Sequence, residues 1–384
     1  MSQLKVNTIR HTGASSDAVT LATDGTCTAK ITDNGGNQFA NRNKIINGEF
    51  RINQRSHSGS AGHNAYTLDR WKYARSANTE FSTSQSTVTP DGFANSVKMT
   101  SIGSNGSTGA GDYAYWRYHI EGQDLQDLSK GTSAAKAFTL SFYFKSDVTG
   151  TFAISIQDEN SRMCNATYTV SNTNWNRYII TIPADTTGTI ANSNATGLSI
   201  HFYIVAGSNH TSGSAVNTWG SYSASSVATG FNAHITTNSV NLYLTGVQLE
   251  VSDYATSFEH LPYGVELARC QRYFFQATEI GSTSDVTNNP ICMGTYITSS
   301  DVRGVIYFPV EMRAAPTLTS NDNSNSMFIL RDGSADWIDE LIMYQATTQR
   351  CTVRNTADVS GTAGHAGIIT QETGDSNLNF KAEL

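Results

Sequence analysis

Apolar and polar residues alternate along many short stretches of this chain. Such alternation places every second side chain on one face of an extended strand. The stretches are rich in β-branched and aromatic residues and are bounded by Gly, Asn, Asp or Ser, which favour turns. The clearest of them are 139–145, 151–157, 177–182, 198–205 and 240–247. Because no helical periodicity separates these strands, the pattern predicts an all-β chain built on an antiparallel sandwich.

The first 44 residues differ in amino-acid composition from the rest of the chain. They hold few large apolar side chains, and alone they cannot offset a backbone entropy of about 1–2 kcal/mol per residue. The apolar residues that recur there with strand-like spacing are Leu4, Val6, Ile9, Val19, Leu21 and Ile31. We therefore predict an extended segment. It either becomes ordered by associating with other chains or remains a flexible N-terminal segment.

Two domains are predicted beyond this segment. Residues 45–262 contain most of the strong strands and form one large domain. Within it, the stretch 206–231 is nearly all Gly, Ser, Asn, Thr and Ala, and loops of this length are usually functional or mobile. One segment has a helical pattern, residues 263–274, directly after Pro262. We expect it to link the large domain to a smaller C-terminal β domain, 263–384.

The composition of the chain excludes several classes of function. The chain has 384 residues, of which 15% are charged, against about 25% in an ordinary soluble domain. Its formal net charge of −7 argues against nucleic-acid binding, which needs a basic face. No stretch approaches the ~20 apolar residues of a membrane span, and no signal peptide is expected at the N-terminus. The five cysteines are scattered without metal spacing, which indicates reduced thiols in a protein made in a cytoplasm.

The sequence contains few residues in patterns that are typical of catalytic sites. The chain has no nucleophile elbow, phosphate-binding loop or metalloprotease helix, and its histidines do not cluster. Glycoside cleavage needs only two carboxylates about 5–9.5 Å apart, so two groups of acidic residues are candidates for it. They are Glu121, Asp124 and Asp127, and the pair Asp158 and Glu159. Turn-forming, solvated roles fit these residues better, and we predict no enzyme.

Aromatic residues on loops are more informative. A sugar ring stacks its C–H patches on the flat face of Trp or Tyr, so we predict glycan binding by Trp219, Tyr222 and Trp337. Trp219 lies in the long polar loop, where it is either an exposed platform, which we favour, or a plug beneath the loop. Trp71, Trp116 and Trp175 lie in or beside strands, which indicates core positions.

Several segments, taken in their order along the chain, resemble a family of tail-fibre and virion structural proteins of tailed bacteriophages. The segments that carry the resemblance are 45–55, 66–71, 120–125, 140–146, 175–183, 245–251, 255–264, 266–274 and 308–317. The opening, Ser-Gln-Leu-Lys-Val-Asn-Thr-Ile at 2–9, is similar to phage fibres that attach through a short N-terminal segment. The resemblance implies a homotrimer in the virion tail, made in the host cytoplasm and docked to other tail or virion proteins through residues 1–44.

The start of the large domain at Asn47-Gly-Glu-Phe and its end at Gly246-Val-Gln-Leu-Glu also resemble carbohydrate-binding jelly-roll modules. The resemblance implies a jelly-roll fold for the central sandwich. It also implies a structural calcium where the terminal strands meet, with Glu49 and Glu250 as ligands; the alternative is that both are ordinary strand-end charges. Gln248 stands where such modules often have Asp.

Together these observations predict a non-enzymatic tail fibre that adsorbs to surface polysaccharide of the host, with the C-terminal domain at the distal tip. Three linked weak sites would gain avidity of about 10²–10⁴ over one. A structural virion component that binds no sugar is the alternative, and a capsule depolymerase is a third reading. Depolymerases resemble long β-helices, and this chain has no such repeat.

Overall fold

The computed structural model describes residues 6–10, 12, 19–21, 23, 27–29, 41–103, 107–214, 217–235, 237–278, 289–320, 325–372 and 377–384. Every paired strand in it is antiparallel, and helices are short. The predicted fold is confirmed: an all-β chain with a central sandwich, a smaller C-terminal β part and a linking helix. No helix in these ranges has the length and apolar character needed to cross a membrane.

The N-terminal segment contributes a small three-stranded antiparallel sheet. Its strands are β1 (Thr8–Ile9), β2 (Val19–Leu21) and β3 (Cys27–Ala29). The side chains of Ile9 and Leu21 are exposed, so this sheet has no apolar core of its own around them. Leu4 and Ile31 lie outside the described residues. Association of this segment with other chains stays a prediction.

Thirteen strands between residues 58 and 250 form the central sandwich. The first seven are β4 (Ser58–Ser60), β5 (Ala65–Tyr66), β6 (Trp71–Arg75), β7 (Phe81–Ser86), β8 (Ser96–Ser101), β9 (Tyr113–Glu121) and β10 (Phe138–Ser146). The others are β11 (Gly150–Asp158), β12 (Arg162–Val170), β13 (Asn176–Ile182), β14 (Thr196–Ala206), β15 (Gly220–Ser221) and β16 (Asn241–Glu250). One sheet has the order β13-β10-β16-β8-β7-β4, and the other has the order β15-β12-β11-β14-β9-β6-β5.

The alternating pattern places large rings between the two sheets. Trp71 and Trp116 are fully buried there, as predicted, with ring centroids 6.0 Å apart. Phe142 packs edge-on against Phe202 at 5.2 Å and so joins one sheet to the other. Trp175 is different: it is only half-buried and lies 6.1 Å from the ring of Tyr243, so its predicted core position is wrong. It directly precedes β13, an edge strand of the six-stranded sheet.

Short helices connect the strands. A 3-10 helix, Gly122–Leu128, follows β9, and the long polar loop contains α1 (Ser208–Thr211) and a 3-10 turn, Ala224–Ser226. The predicted linking helix is α2 (Tyr263–Gln271), which ends before Phe274 because a strand begins there. Buried Cys270 and Tyr273 anchor α2 to the core of the sandwich.

Residues 274–381 form two further sheets. Their strands are β17 (Phe274–Gln276), β18 (Asn289–Thr298), β19 (Asp301–Tyr307), β20 (Thr317–Ser320), β21 (Met327–Arg331), β22 (Ser334–Ile338), β23 (Ile342–Ala346), β24 (Arg350–Asn355), β25 (Ala366–Gln371) and β26 (Leu378–Lys381). One sheet has the order β17-β26-β20 and the other the order β22-β21-β25-β18-β19-β24-β23. The C-terminus returns to the sandwich, where Glu383 accepts hydrogen bonds from Arg55 and buried Arg70. The boundary predicted after residue 262 stays a prediction.

Candidate functional site

The outer face of the seven-stranded sheet carries a continuous line of polar side chains. Lys72 on β6 lies opposite Arg117 on β9, and Arg117 lies opposite His201 on β14. His201 is in turn opposite Ser155 on β11, and Ser155 is opposite Asn165 on β12. We call these five residues the polar row. Opposed residues on neighbouring strands point to the same face, so the five form one band across the sheet.

Two members of the polar row are buried without satisfying their hydrogen-bonding groups. The side chain of Asn165 is buried, and neither its amide oxygen nor its amide nitrogen has a partner. Nε2 of buried His201 also lacks one. Buried polar groups are normally paired with protein, water or a ligand, so these atoms are unsatisfied hydrogen-bonding groups on this face of the sheet.

Burial also sets the charge of this surface. Desolvation, assisted by the nearby charge of Arg117, lowers the pKa of His201 from 6.5 to about 3. Burial lowers the pKa of the neighbouring His119 in the same way. Both rings are therefore neutral near pH 7 and each offers one acceptor and one donor nitrogen. Arg117 and Lys72 supply the positive charge beside them.

Aromatic rings flank the polar row on one side. The ring of Tyr115 stacks on that of His201, with centroids 4.7 Å apart and planes 2° apart. Tyr203 lies 4.9 Å from Tyr115 on the next strand. Part of this aromatic surface is covered by the long polar loop, whose Val227 and Ala228 pack against Ala153 and Tyr203. The loop therefore forms one wall beside the polar row.

This combination suits a sugar. Amide, hydroxyl and guanidinium groups can bond sugar hydroxyls, while flat rings can stack against sugar C–H groups. These residues are not among those predicted from the sequence, because they occupy the outward positions of strands, a pattern that is typical of ordinary solvated faces. A signal was available: His119, Arg117 and Tyr115 alternate with core residues on one strand, as do Ser199, His201 and Tyr203 on another.

Trp219 is a plug rather than an exposed platform. Its indole nitrogen donates a hydrogen bond to the carbonyl of Pro183 at 2.8 Å. The ammonium of Lys130 lies over the indole ring, 4.4 Å from its centroid, and the ring packs against the sandwich core. The favoured platform interpretation is therefore corrected: a half-buried ring that covers a charged cluster leaves little free face for a sugar.

Tyr222 and Trp337 are exposed but lie on different sheets. Tyr222 is 49% exposed, and its backbone N–H donates to Ser161 at the end of the sandwich sheet that carries the polar row. Trp337 is 40% exposed on β22 of the C-terminal sheet, where it packs edge-on against Phe328 at 5.3 Å. The structure thus does not bring the three aromatic residues predicted from the sequence into one site.

The carboxylates considered for catalysis are engaged by cations. Buried Glu121 accepts two hydrogen bonds from Arg272, both at 3.0 Å, and one from the hydroxyl of Tyr273. Lys130 donates to Asp158 at 2.5 Å and to Asp185 at 2.8 Å, and Arg162 also bonds Asp185. These carboxylates tie segments of the fold together.

The remaining acidic candidates do not form a pair of free carboxylates. Asp127 pairs with Lys44 at 2.7 Å, and Glu159 accepts the backbone N–H of Ala191. Burial, with a smaller contribution from the charge of Glu121, raises the pKa of Asp124. Asp124 and Asp127 both line a groove of about 460 Å³, but Asp127 is held by Lys44, so the groove does not offer the two free carboxylates that cleavage of a glycoside needs.

The residues at the predicted calcium site do not fit the ion. Glu250 accepts hydrogen bonds from the backbone N–H and the hydroxyl of Thr256, both at 2.8 Å. Glu49 is bonded to Arg51 at 3.2 Å and to His260 at 3.1 Å. Calcium requires six to eight oxygen ligands, whereas these carboxylates are surrounded by N–H and O–H donors. Within the described ranges, no cluster of three or more acidic, His or Cys side chains is arranged to hold a metal.

Comparison with known proteins gives only remote likenesses. No protein-family model and no characterised protein sequence matches the chain. Among solved structures, the enzymatically active domain of tailspike protein 4 of bacteriophage CBA120 shares 12% identity over 55% of this chain and 21% of its own, with a TM-score of 0.30. A family 4 carbohydrate-binding module shares 13% identity over 54% of this chain and 98% of its own, with a TM-score of 0.28.

A third similar structure is a family 11 carbohydrate-binding module from Clostridium thermocellum, in complex with a mixed-linked tetrasaccharide. It shares 15% identity over 53% of this chain and 98% of its own, with a TM-score of 0.26. At identities and TM-scores this low, the function has to be inferred from the residues of this chain.

Proposed function

We propose that the protein is a non-enzymatic virion component, a phage tail fibre that adsorbs to glycans on the surface of its bacterial host. The polar row carries the proposal. Unpartnered atoms on Asn165 and His201 lie on the same face of one sheet as the ring of Tyr115, which is stacked between the rings of His201 and Tyr113. Hydrogen-bonding groups and aromatic side chains therefore share this face. A polysaccharide presents the complementary surface, because each sugar combines hydroxyl groups with patches of C–H.

The absence of catalysis in this proposal follows from how the acidic side chains are used. Asp158 and Asp185 share the buried ammonium of Lys130, and Glu121 is held by Arg272. A carboxylate that holds a structural ion pair is poorly suited to take or give a proton during glycoside cleavage.

The fibre acts as a homotrimer in this proposal, and the C-terminal sheet has an apolar surface for other copies. Ile368 lies directly opposite both Leu330 and Met293 on its two neighbouring strands. All three are exposed, and Met293 is 63% exposed. We call them the aliphatic row. A contiguous exposed apolar patch on a soluble chain is typical of a protein interface, and three copies would link three weak glycan sites.

Two further parts of the proposal rest on the sequence resemblance. Residues 1–44 attach the fibre to other proteins of the tail, and the protein resides in the virion after synthesis in the host cytoplasm. Tyr222 and Trp337 remain candidate glycan contacts, whereas Trp219 supports the fold beside Lys130.

An array of bacterial surface polysaccharides tests the glycan-binding function. The wild-type protein should bind a subset of the array, and Asn165→Ala or Tyr115→Ala should weaken that binding at least tenfold. The matched controls are Asn209→Ala and Tyr254→Ala, which remove the same groups from exposed positions outside the polar row. Circular dichroism checks that each variant is folded.

Two results would contradict the proposal. If no polysaccharide binds the wild-type protein and the protein does not compete with phage for adsorption, a purely structural virion component is favoured. If the protein releases new reducing ends from a bound polysaccharide, it is a depolymerase.

A further inference from the structure

The C-terminal sheet has a second, polar and aromatic surface, which begins beside the aliphatic row on the same face of the sheet. A groove of about 570 Å³ runs along its outer face where β19, β24 and β23 meet. The lining side chains that matter are Val305, Tyr307, Gln345, Thr347, Arg350 and Thr352. Ligand pockets commonly have volumes of about 300–1,000 Å³, so the groove is large enough for a sugar residue.

Tyr307 provides a flat, open face in this groove. Its side chain is 69% exposed, the highest value among the large apolar and aromatic residues described. Arg350 lies directly opposite it on β24, and the guanidinium carbon is 6.0 Å from the centre of the ring. A tyrosine ring kept in water on a regular strand gains no burial energy, so its position fits a ligand that stacks on it.

Positive charge is concentrated beside the groove. Arg303 on β19 lies directly opposite Arg354 on β24, and both guanidinium groups lie against the ring of Tyr344, at 4.5 and 4.9 Å. Like charges placed opposite each other on neighbouring strands are destabilising. The ring of Tyr344 and the carboxylate of Asp301 offset part of this repulsion, and a bound anion would offset more of it.

The arginines are only partly neutralised by acidic groups. Arg303 pairs with Asp301 at 2.6 Å, and Glu311 accepts a hydrogen bond from Thr348 beside the β23–β24 turn. Arg350 and Arg354 form no ion pair with any carboxylate of the described chain, and Nε of Arg354 is buried without a partner. In a chain with a net charge of −7, this local excess of positive charge attracts anions.

We infer that this groove binds an acidic sugar residue, which stacks on Tyr307 and places its carboxylate against Arg350. The Arg303–Arg354 pair, about 13 Å further along the same two strands, attracts a neighbouring acidic residue of the same polysaccharide. Arginine suits this role because its planar guanidinium can donate two parallel hydrogen bonds to a carboxylate. Gln345, Thr347 and Thr352 supply donors and acceptors for the sugar hydroxyls. The inference rests on the proposed function and adds a ligand class to it: polysaccharides that carry carboxylate groups.

Polygalacturonate and its methyl ester test the inference, since they share a backbone and differ in the charge of the carboxyl group. The full-length protein should be retarded by polygalacturonate in affinity electrophoresis and at least tenfold less by the ester. Arg350→Gln and Tyr307→Ala should each raise the dissociation constant for polygalacturonate at least tenfold. Lys98→Gln and Tyr254→Ala, which alter a lysine and a tyrosine of the central domain, should leave it unchanged.

The possible results separate this inference from the proposed function. Equal binding of polygalacturonate and its ester, or unchanged binding in both groove variants, overturns the inference alone. Loss of array binding in Asn165→Ala would then still support the proposed function. If Arg350→Gln and Tyr307→Ala instead change the oligomeric state in sedimentation, the groove is an interface between copies and the inference is wrong. If the wild-type protein binds no polysaccharide of either set, both proposals fail.

Discussion

The side-chain amide of Gln248 donates a hydrogen bond to Oε1 of Glu250 at 3.0 Å, deep inside the sandwich edge. The same nitrogen also lies within hydrogen-bonding distance of the Thr256 hydroxyl, at 3.1 Å, and of the Ser257 carbonyl, at 3.3 Å. Three oxygens thus surround one neutral nitrogen. A cation would occupy such a position in a metal site, and here the amide takes that place.

Changing Gln248→Glu should turn this neutral arrangement into a repulsive one. The new carboxylate would face Glu250 in a buried setting, and an uncompensated buried charge costs roughly 3 kcal/mol of unfolding free energy. Calcium at millimolar concentration should recover part of the loss, because the variant offers four oxygens where the wild type has a donor. Urea denaturation at pH 7.5, with and without calcium, measures both effects.

Gln349→Glu is the control for this experiment, since it makes the same chemical change at an exposed turn. It should alter stability by less than about 0.5 kcal/mol. Two results would contradict the idea that the amide of Gln248 occupies the position of a cation. One is that Gln248→Glu is as stable as the wild type, and the other is that calcium stabilises Gln248→Glu and the wild type equally.

Calcium should not change the thermal stability of the wild-type protein. Both carboxylates of the predicted site, Glu49 and Glu250, already accept hydrogen bonds from protein donors, so a metal would have to displace them. We expect the melting temperature to change by less than 1 °C on addition of EDTA or of 5 mM calcium. A rise of several degrees with calcium would show that the ion binds the folded protein.

The strands were predictable from the sequence because burial alternates along each of them, as Trp116 and Tyr118 do with Arg117 on β9. The polar row was not, since its members become neighbours only through the strand order β12-β11-β14-β9-β6, in which residues about 80 positions apart lie side by side. Local alternation identifies which face a residue occupies but not which strands flank it.

The misplacement of Trp219 has a related cause. Its loop has the composition of an exposed segment, and nothing in that composition indicates the bond to Pro183 or the contact with Lys130. Gln248 shows the opposite situation: its difference from the Asp that carbohydrate-binding modules often have at this position was visible in the sequence. The structure supplies the physical reason why the difference disfavours a metal site.

The buried cluster under Trp219 should be essential for stability. In Lys130→Met, the carboxylates of Asp158 and Asp185 would lose the ammonium that they share, at 2.5 and 2.8 Å. Breaking a buried ion pair by removing one partner typically costs about 3–5 kcal/mol. Lys98→Met, at a half-exposed strand position, is the matched control and should change the unfolding free energy by less than about 0.5 kcal/mol. Chemical denaturation of both variants decides the point, and a loss below 1 kcal/mol in Lys130→Met would contradict it.

Trp219→Ala should reduce stability and leave glycan binding intact. The substitution removes a ring that covers Lys130 and packs on the core, and truncation of a buried aromatic side chain costs about 3–5 kcal/mol when burial is complete. Because this ring is only partly buried, we expect roughly 2 kcal/mol. Measuring array binding well below the melting temperature separates the two properties, and a selective loss of binding in a variant of normal stability would restore Trp219 as a glycan contact.

Acid should destabilise the protein through His201. Burial keeps the pKa of this ring at about 3 in the folded state, whereas the unfolded chain protonates it near 6.5. Between these values the unfolded state binds more protons than the folded state, so the unfolding free energy falls as the pH is lowered, by up to about 1.4 kcal/mol per pH unit. Above pH 6.5 the ring is neutral in both states and contributes no pH dependence.

His201→Gln should remove this part of the acid sensitivity, because glutamine keeps a polar side chain on the sheet and does not titrate. Between pH 7.5 and pH 5 the wild type should lose about 2 kcal/mol more than the variant, whatever the stability of the variant at neutral pH. His234→Gln, which alters an exposed histidine, should retain the wild-type slope. Urea denaturation at four pH values gives the slopes, and a slope in His201→Gln equal to that of the wild type would mean that His201 can be protonated in the folded protein. In that case the polar row would carry an additional positive charge at mildly acidic pH.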